Sequence, residues 1–273
     1  MKLNFSPSSL SSSSSKEVNQ FRRSMRMTMA MRRILLPAIM LFSAIAAKAQ
    51  ATNGLSGAEI KGRELARQLC DAQPSQTFTN TGVLQIRDEN GNRTNISVNF
   101  KTILRTDSWE FLCAAGDGMV KMAIVHQSGQ PNRYYKLAES GLNRKSLSNQ
   151  GINQPFATSD FSMADLGLEF FHWPDQKLLP KTTNLKRGRS YTLLESTNPG
   201  PATNGYSRVV SWIDQETGGI LQAEAYDAQG HLLKVFEPKS FKKVNGQWEL
   251  QEMEIRNVQT GSRTRLEFDL KKD

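Results

Sequence analysis

Residues 206–270, YSRVVSWIDQETGGILQAEAYDAQGHLLKVFEPKSFKKVNGQWELQEMEIRNVQTGSRTRLEFDL, decide the fold class. Five runs in this stretch, Tyr206 to Asp214, Ile220 to Tyr226, His231 to Glu237, Trp248 to Arg256 and Thr264 to Leu270, read as strands. They are divided by Gln215-Glu216-Thr217-Gly218-Gly219, Asp227-Ala228-Gln229-Gly230, Asn245-Gly246 and Thr260-Gly261. A period of two marks a strand with one buried and one wet face. Turn residues that recur every 12 to 16 positions suit successive antiparallel strands. No strand–helix–strand rhythm interrupts them, so a parallel sheet is not expected.

The same period continues toward the N-terminus. Tyr191 to Glu195 reads as a strand, as does Asn95 to Leu104, where Ile96, Val98, Phe100 and Leu104 alternate with polar residues. Leu84 and Ile86 precede that run across Asp88-Glu89-Asn90-Gly91, whose Asn-Gly favours a hairpin. Trp109, Phe111 and Cys113 share one face of the next strand, and Val120, Met122, Ile124 and His126 one face of the strand after. Tyr134 to Leu137 is a further strand, and Ser140 to Pro155 reads as a polar loop.

Two stretches carry a helical period instead. Ser56 to Cys70 has Ser56 and Glu59 at capping-box spacing and Ile60, Leu65 and Leu69 on one side. Phe161 to His172 reads as a second helix, with Ser162 and Asp165 as its box and Pro174 past its end. Its Met163, Leu166, Leu168, Phe170 and Phe171, with the adjoining Trp173, make this segment unusually apolar. It is either buried packing or a mobile cover over a greasy space.

Two helices and about ten antiparallel strands give an α+β fold with one large sheet. A sheet with one apolar face must bury that face against something. Two short helices hide only part of it, so the sheet is expected to curve strongly and enclose space.

The N-terminus is expected to be an export signal. Arg32 and Arg33 precede a 14-residue apolar run, Ile34 to Ala47, and Ala47-Lys48-Ala49 is a small-x-small cleavage site. The run is shorter than the ~20 residues of a spanning helix, and Pro37 breaks it. Residues 1–49 are thus expected to be an extension plus cleaved signal, and residues 50–273 a single exported domain. Translation beginning at Met25, Met27, Met29 or Met31, or an organellar transit peptide, would each account for the Ser- and Arg-rich residues 1–30. The leader holds eight of the 35 Lys+Arg and one of the 26 Asp+Glu, so the remainder carries 27 against 25, a net charge near +2. Overall basicity therefore does not point to a nucleic-acid partner. Cys70 and Cys113 could pair in an oxidising compartment or stay as buried thiols.

No catalytic or metal motif is present in the sequence. His126, His172 and His231 lack ligand spacing, and neither zinc Cys pairs, a G-x-S-x-G elbow nor a P-loop occurs. Glu252 and Glu254 share a strand face at a spacing open to a glycosidase pair, but the polar surface of an alternating strand explains them as well. No cofactor, no metal site and no enzymatic activity are expected.

Ser159-Asp160-Phe161-Ser162-Met163-Ala164-Asp165-Leu166, Tyr206-Ser207-Arg208-Val209-Val210-Ser211-Trp212-Ile213-Asp214 and Leu221-Gln222-Ala223-Glu224-Ala225-Tyr226-Asp227, leading on to Leu232-Leu233-Lys234, resemble the LolA-like outer-membrane lipoprotein-sorting family. The resemblance spans about Ser56 to the end and is strongest after Ser159. It implies an incomplete, strongly curved β-barrel whose concave side is covered by a few helices, acting as a lid over an apolar cavity. The cavity would take the acyl chains of a lipoprotein or another lipid. The residues offered to it are Leu84, Ile86, Ile96, Val98, Phe100, Trp109, Phe111, Val120, Met122, Ile124, Phe170 and Trp212. Arg87, Arg93 and Arg105 lie where the family's lid-closing arginine is sought.

The resemblance further implies a monomeric periplasmic carrier that delivers acyl cargo toward the outer membrane. Its partners would be a release complex of the inner membrane and an outer-membrane acceptor. The alternative is that the half-barrel serves as an envelope-stress sensor or protein-interaction module without lipid transport. Each buried methylene contributes about 0.8 kcal/mol, so an acyl chain has much to gain from a dry interior, and Met119, Met122 and Met163 suit an adaptable one.

Overall fold

Alternation along most strands places an apolar row inward, and thirteen strands pair into one antiparallel sheet. The computed structural model describes residues 54–138, 143–181, 185–201, 205–244 and 247–270. The strands are β1 (Phe78–Arg87), β2 (Arg93–Leu104), β3 (Ser108–Ala115), β4 (Val120–Gln127), β5 (Arg133–Leu137), β6 (Arg144–Ser146), β7 (Asp175–Leu179), β8 (Tyr191–Thr197), β9 (Arg208–Asp214), β10 (Ile220–Tyr226), β11 (Leu232–Val244), β12 (Gln247–Asn257) and β13 (Arg263–Phe268). The Asn245-Gly246 turn lies outside the described residues.

The order across the sheet is β6-β5-β4-β3-β2-β1-β13-β12-β11-β10-β9-β8-β7. Two meanders are thus joined by their outer members, β1 pairing with β13 from Gly82↔Phe268 to Arg87↔Arg263. The sheet is curved and unclosed, an incomplete barrel. Strands β6 and β7 are consecutive in the chain yet occupy opposite edges of the sheet. Residues 147–174, which connect them, cross the concave side and form a strap.

Helix α1 (Gly57–Cys70) carries the expected box: Ser56 N–H donates to Glu59 at 2.6 Å and Glu59 N–H donates to Ser56 Oγ at 3.3 Å. It lies against β7. A Cβ at Gly62 would stand 2.7 Å from the backbone of Lys177, so only glycine permits this approach.

The strap departs from the sequence reading. The polar loop contains β6 and a one-turn helix, α2 (Asn149–Ile152). The second helix is not continuous: α3 (Met163–Leu166) keeps the Ser162–Asp165 box but stops at Gly167, and Leu168 takes a left-handed φ of 49° before a 3-10 turn at Glu169–His172. The cause is tertiary. A Cβ at Gly167 would meet Tyr134 Oη at 2.3 Å, and Asn132 Nδ2 donates to the Gly167 carbonyl at 2.8 Å, pinning the break. The short strands β6 and β7 offered too few residues for a readable period.

Candidate functional site

The concave face is the greasiest surface of the fold. Registers Leu84↔Ile96, Phe100↔Cys113, Phe111↔Ile124 and Cys113↔Met122 bring one face of β1–β4 together. Leu84, Ile86, Val98, Phe100 and Ile124 are buried in one cluster, with Ile96, Phe111, Val120 and Met122 packed against it. Nine of the twelve candidate residues thus share one patch, continued by Ile255 and Leu266. Trp109 lies on the same face toward its rim, stacked on His126 with centroids 3.6 Å apart. Phe170 sits in a neighbouring cluster with Phe171, Leu194 and Val209.

Trp212 is a correction. It alternates with the inward Ser211 and packs on the opposite face beside Tyr191, Leu193 and Val210, under Lys186 Nζ at 4.4 Å. Strand β9 buries apolar residues on both faces, so its parity was not readable.

The strap covers the concave face. Ile152, Phe156, Phe161, Met163 and Ala164 join the first cluster, and Phe170 and Phe171 the second. The packing is nearly complete. A cavity of about 20 Å³ remains among Leu168, Phe170, Tyr206, Val209, Ala223, Ala225, Phe236 and Ile255, with Asp165 and Lys234 at its polar side. That is room for about one water molecule. The expected acyl-sized cavity is therefore not open in this conformation; strap side chains occupy the place.

Polar contacts hold the strap in place. Among the described residues, no backbone–backbone hydrogen bond joins residues 149–173 to the sheet. Side chains do so instead. Tyr206 Oη donates to Asp165 at 2.7 Å, and Lys234 Nζ donates to the Asp160 carbonyl at 2.6 Å and lies 3.7 Å from Asp165. Asp160 accepts from Ser262 Oγ at 2.5 Å and Thr264 Oγ1 at 2.8 Å on the β13 side. On the other flank Tyr134 Oη donates to Glu169 at 2.7 Å. Gln176 Nε2 donates to the Phe170 carbonyl at 2.9 Å. These residues were missed because the contacts are non-local; only the Ser162–Asp165 spacing hinted at one of them.

Burial sets the electrostatics here. It pushes the Tyr206 hydroxyl well above its usual range, with the Asp165 carboxylate adding to the effect. Burial likewise raises the Glu169 carboxyl, opposed by the Tyr134 hydrogen bond. His126 is lowered to about 4, by burial first and the neighbouring His172 second.

The three arginines sought as a lid closer do not face the strap. Arg87 and Arg93 stand opposite one another on the convex face, and Arg105 pairs with Glu110, 3.5 Å away. The cation that meets the strap is Lys234. Glu252 and Glu254 are engaged on the convex face by Arg265, at 2.7 and 3.2 Å. Cys70 and Cys113 are free thiols, Cys113 buried with Sγ 3.9 Å from Met163 Sδ.

A family profile described as "-like: Uncharacterized protein" matches residues 117–271, more than half of the chain. No curated protein matches the sequence. Among solved structures, a DUF1329 family protein from Desulfovibrio piger aligns with a TM-score of 0.62 at 21% identity, over 78% of this chain and 92% of that one. A putative outer membrane lipoprotein-sorting protein domain from Vibrio parahaemolyticus aligns with a TM-score of 0.59 at 21% identity, over 77% and 91%. A LolA superfamily protein from Nitrosomonas europaea aligns with a TM-score of 0.54 at 16% identity, over 78% and 92%. These likenesses establish the fold.

Proposed function

We propose that this chain, which belongs to the "Uncharacterized protein"-like family matched over residues 117–271, is a non-catalytic periplasmic carrier of acyl chains, from a lipoprotein or another lipid. Delivery is toward the outer membrane. Residues 1–49 are a removed export leader, and residues 50–273 one carrier domain. The observation that carries this reading is the nature of the cover. A large apolar sheet face is closed by a strap that, among the described residues, shares no backbone–backbone hydrogen bond with it from residue 149 to residue 173, while at its root Leu147 N–H donates to the Tyr134 carbonyl at 2.9 Å. A face closed through side chains can be uncovered without dismantling the sheet.

In this reading Phe156, Phe161, Met163 and Phe170 act as a stand-in for cargo. When the strap swings out, an acyl chain takes the surface made by Leu84, Val98, Phe100, Met122 and Ile124. Each methylene that leaves water contributes about 0.8 kcal/mol, so a long chain can offset the apolar contacts the strap gives up. Trp212 has no part in this.

The test is acyl exchange. The isolated protein is incubated with a fluorescent fatty-acyl probe, and uptake is followed in the native chain and in Lys234→Met, which loosens the strap while leaving Leu84, Val98, Phe100, Met122 and Ile124 in place. Uptake that is faster in Lys234→Met supports the carrier. No uptake by either protein, with no acyl species found in the protein as isolated, overturns it.

A further inference from the structure

Two hairpins at the centre of the sheet are worded almost alike. Ile86-Arg87-Asp88-Glu89-Asn90-Gly91-Asn92-Arg93-Thr94 joins β1 to β2, and Ile255-Arg256-Asn257-Val258-Gln259-Thr260-Gly261-Ser262-Arg263-Thr264 joins β12 to β13. In each, an arginine closes the ladder on both sides of the turn, next to a residue of the opposite face. Because β13 pairs with β1, the two hairpins lie side by side. The register then sets Arg256 opposite Arg263, Arg263 opposite Arg87, and Arg87 opposite Arg93. Strands about 4.8 Å apart make this a row of four arginines whose Cα atoms span about 14 Å on the convex face. Arg87, Arg93 and Arg256 are exposed and Arg263 is half-buried.

Like charges directly opposite one another on a sheet are destabilising. Two residues further in, the same face avoids the problem: Arg265 is held by Glu252 and Glu254, and Lys239 by Glu237 and Glu254. Among the described residues, no ion pair or side-chain hydrogen bond engages any of the four arginines in the row. Of the two carboxylates in the turn between Arg87 and Arg93, Asp88 accepts from the backbone of Asn90 and Asn92 and from the Asn92 side chain. Glu89 forms no ion pair with either arginine. Residues 50–273 carry a net charge of only about +2, so the row is a local concentration and not general basicity.

Guanidinium groups present planar donors that fit phosphate oxygens two at a time. Four of them fixed on a rigid sheet suit phosphates arrayed in a plane. The row includes no aromatic side chain on which a base would stack, as a single-stranded nucleic acid would want. Val258, 42% exposed on the β12–β13 turn, places an apolar group beside it. We propose that this arginine row docks the protein onto an anionic phospholipid surface, the guanidinium groups engaging headgroup phosphates. The inference concerns the convex face and stands whether or not the concave face takes up an acyl chain.

The test is co-sedimentation of the full chain, as the cell processes it, with vesicles of phosphatidylcholine alone or with one third phosphatidylglycerol. The native protein should sediment with the anionic vesicles only, and less as salt rises. Combining Arg87→Gln, Arg93→Gln, Arg256→Gln and Arg263→Gln should weaken binding about fivefold per arginine. A charge-matched variant, Lys61→Gln, Lys101→Gln, Lys145→Gln and Lys243→Gln, should bind as the native protein does. The thermal midpoint of the arginine variant should equal or exceed the native one, because repulsion has been removed; this separates lost docking from lost folding. Equal binding to neutral vesicles, or an equal loss in the charge-matched variant, overturns the proposal. So does retention by inorganic phosphate or a single-stranded polynucleotide without vesicle binding.

Discussion

Tyr206 and Asp165 meet across the boundary between sheet and strap, the tyrosine hydroxyl donating to the carboxylate at 2.7 Å in a site where the tyrosine is only 6% exposed. Asp165 also accepts from the backbone and side chain of Ser162, both at 2.8 Å. One carboxylate therefore caps α3 and fastens that helix to the concave face. Local order of the strap and its docking are tied to the same group.

Tyr206→Phe separates these roles. The cap of α3 survives, and the tie to the sheet is lost. A buried hydrogen bond to a charged group contributes about 1.5–3 kcal/mol, so the variant should lose stability of that order. The loss should concentrate in the strap, read as faster amide exchange at residues 156–171 with β2, β3 and β13 unchanged. Uniform acceleration across the sheet would mean that the strap is not a separable unit.

Gly167→Ala tests what breaks the strap helix. The backbone there has φ −89°, which alanine adopts freely, so any cost comes from the Cβ meeting Tyr134 Oη at 2.3 Å. Overpacking of this kind costs about 1–3 kcal/mol, and the clash would also part Tyr134 from Glu169. Adding Tyr134→Ala should make the glycine substitution nearly neutral in a double-mutant cycle by urea denaturation. Additive effects would place the cause of the break elsewhere.

How far the sequence could be read depends on how local each determinant is. The α1 box spans four residues and was legible in Ser56 and Glu59 alone. The clustering of Leu84, Val98, Phe100 and Ile124 was legible too, because strict alternation fixes which residues share a face. Trp212 was not, because Val209, Val210, Trp212 and Ile213 make β9 apolar on both sides. The break at Gly167 depends on Tyr134, and the Lys234 tie on Asp160, partners far away in the chain. The same holds for the arginine row: both hairpins were visible, but only the β1–β13 pairing aligns them. Phe100 and Ile124 are 2% and 0% exposed, so an aspartate at either would report on folding before it reported on binding.

Stability should fall with acid earlier than carboxylates alone would dictate. His126 is lowered to about 4 and His172 is also lowered, each chiefly by burial. Between about pH 6.5 and 4 the unfolded chain binds the His126 proton and the folded one does not, so stability rises with pH in that window and is lost as pH falls through it; His172 acts in the same direction. His126 alone accounts for a loss on the order of 3 kcal/mol at the acid end. Glu169 acts in the opposite sense, since burial raises it and the folded state holds its proton to higher pH. His126→Phe, which keeps a ring on Trp109, should flatten the fall of the thermal midpoint, and Glu169→Gln should steepen it. An unchanged slope in His126→Phe would rule out this histidine as the source.

Both thiols should be present and unreactive in the folded protein. Burial pushes Cys113 up to about 12 and is the main cause of the same shift at Cys70, so little thiolate exists at neutral pH and iodoacetamide should modify neither quickly. Cys113 lies under Met163 of the strap and Cys70 at the end of α1, which gives their labelling different triggers. Loosening the strap by Tyr206→Phe should speed alkylation of Cys113 more than that of Cys70, followed by mass spectrometry of the native protein. Denaturation without reductant should expose both to alkylation. A protein that takes up no label under those conditions would carry a Cys70–Cys113 bridge, and the arrangement of β3 beneath the strap would then have to differ from the one described.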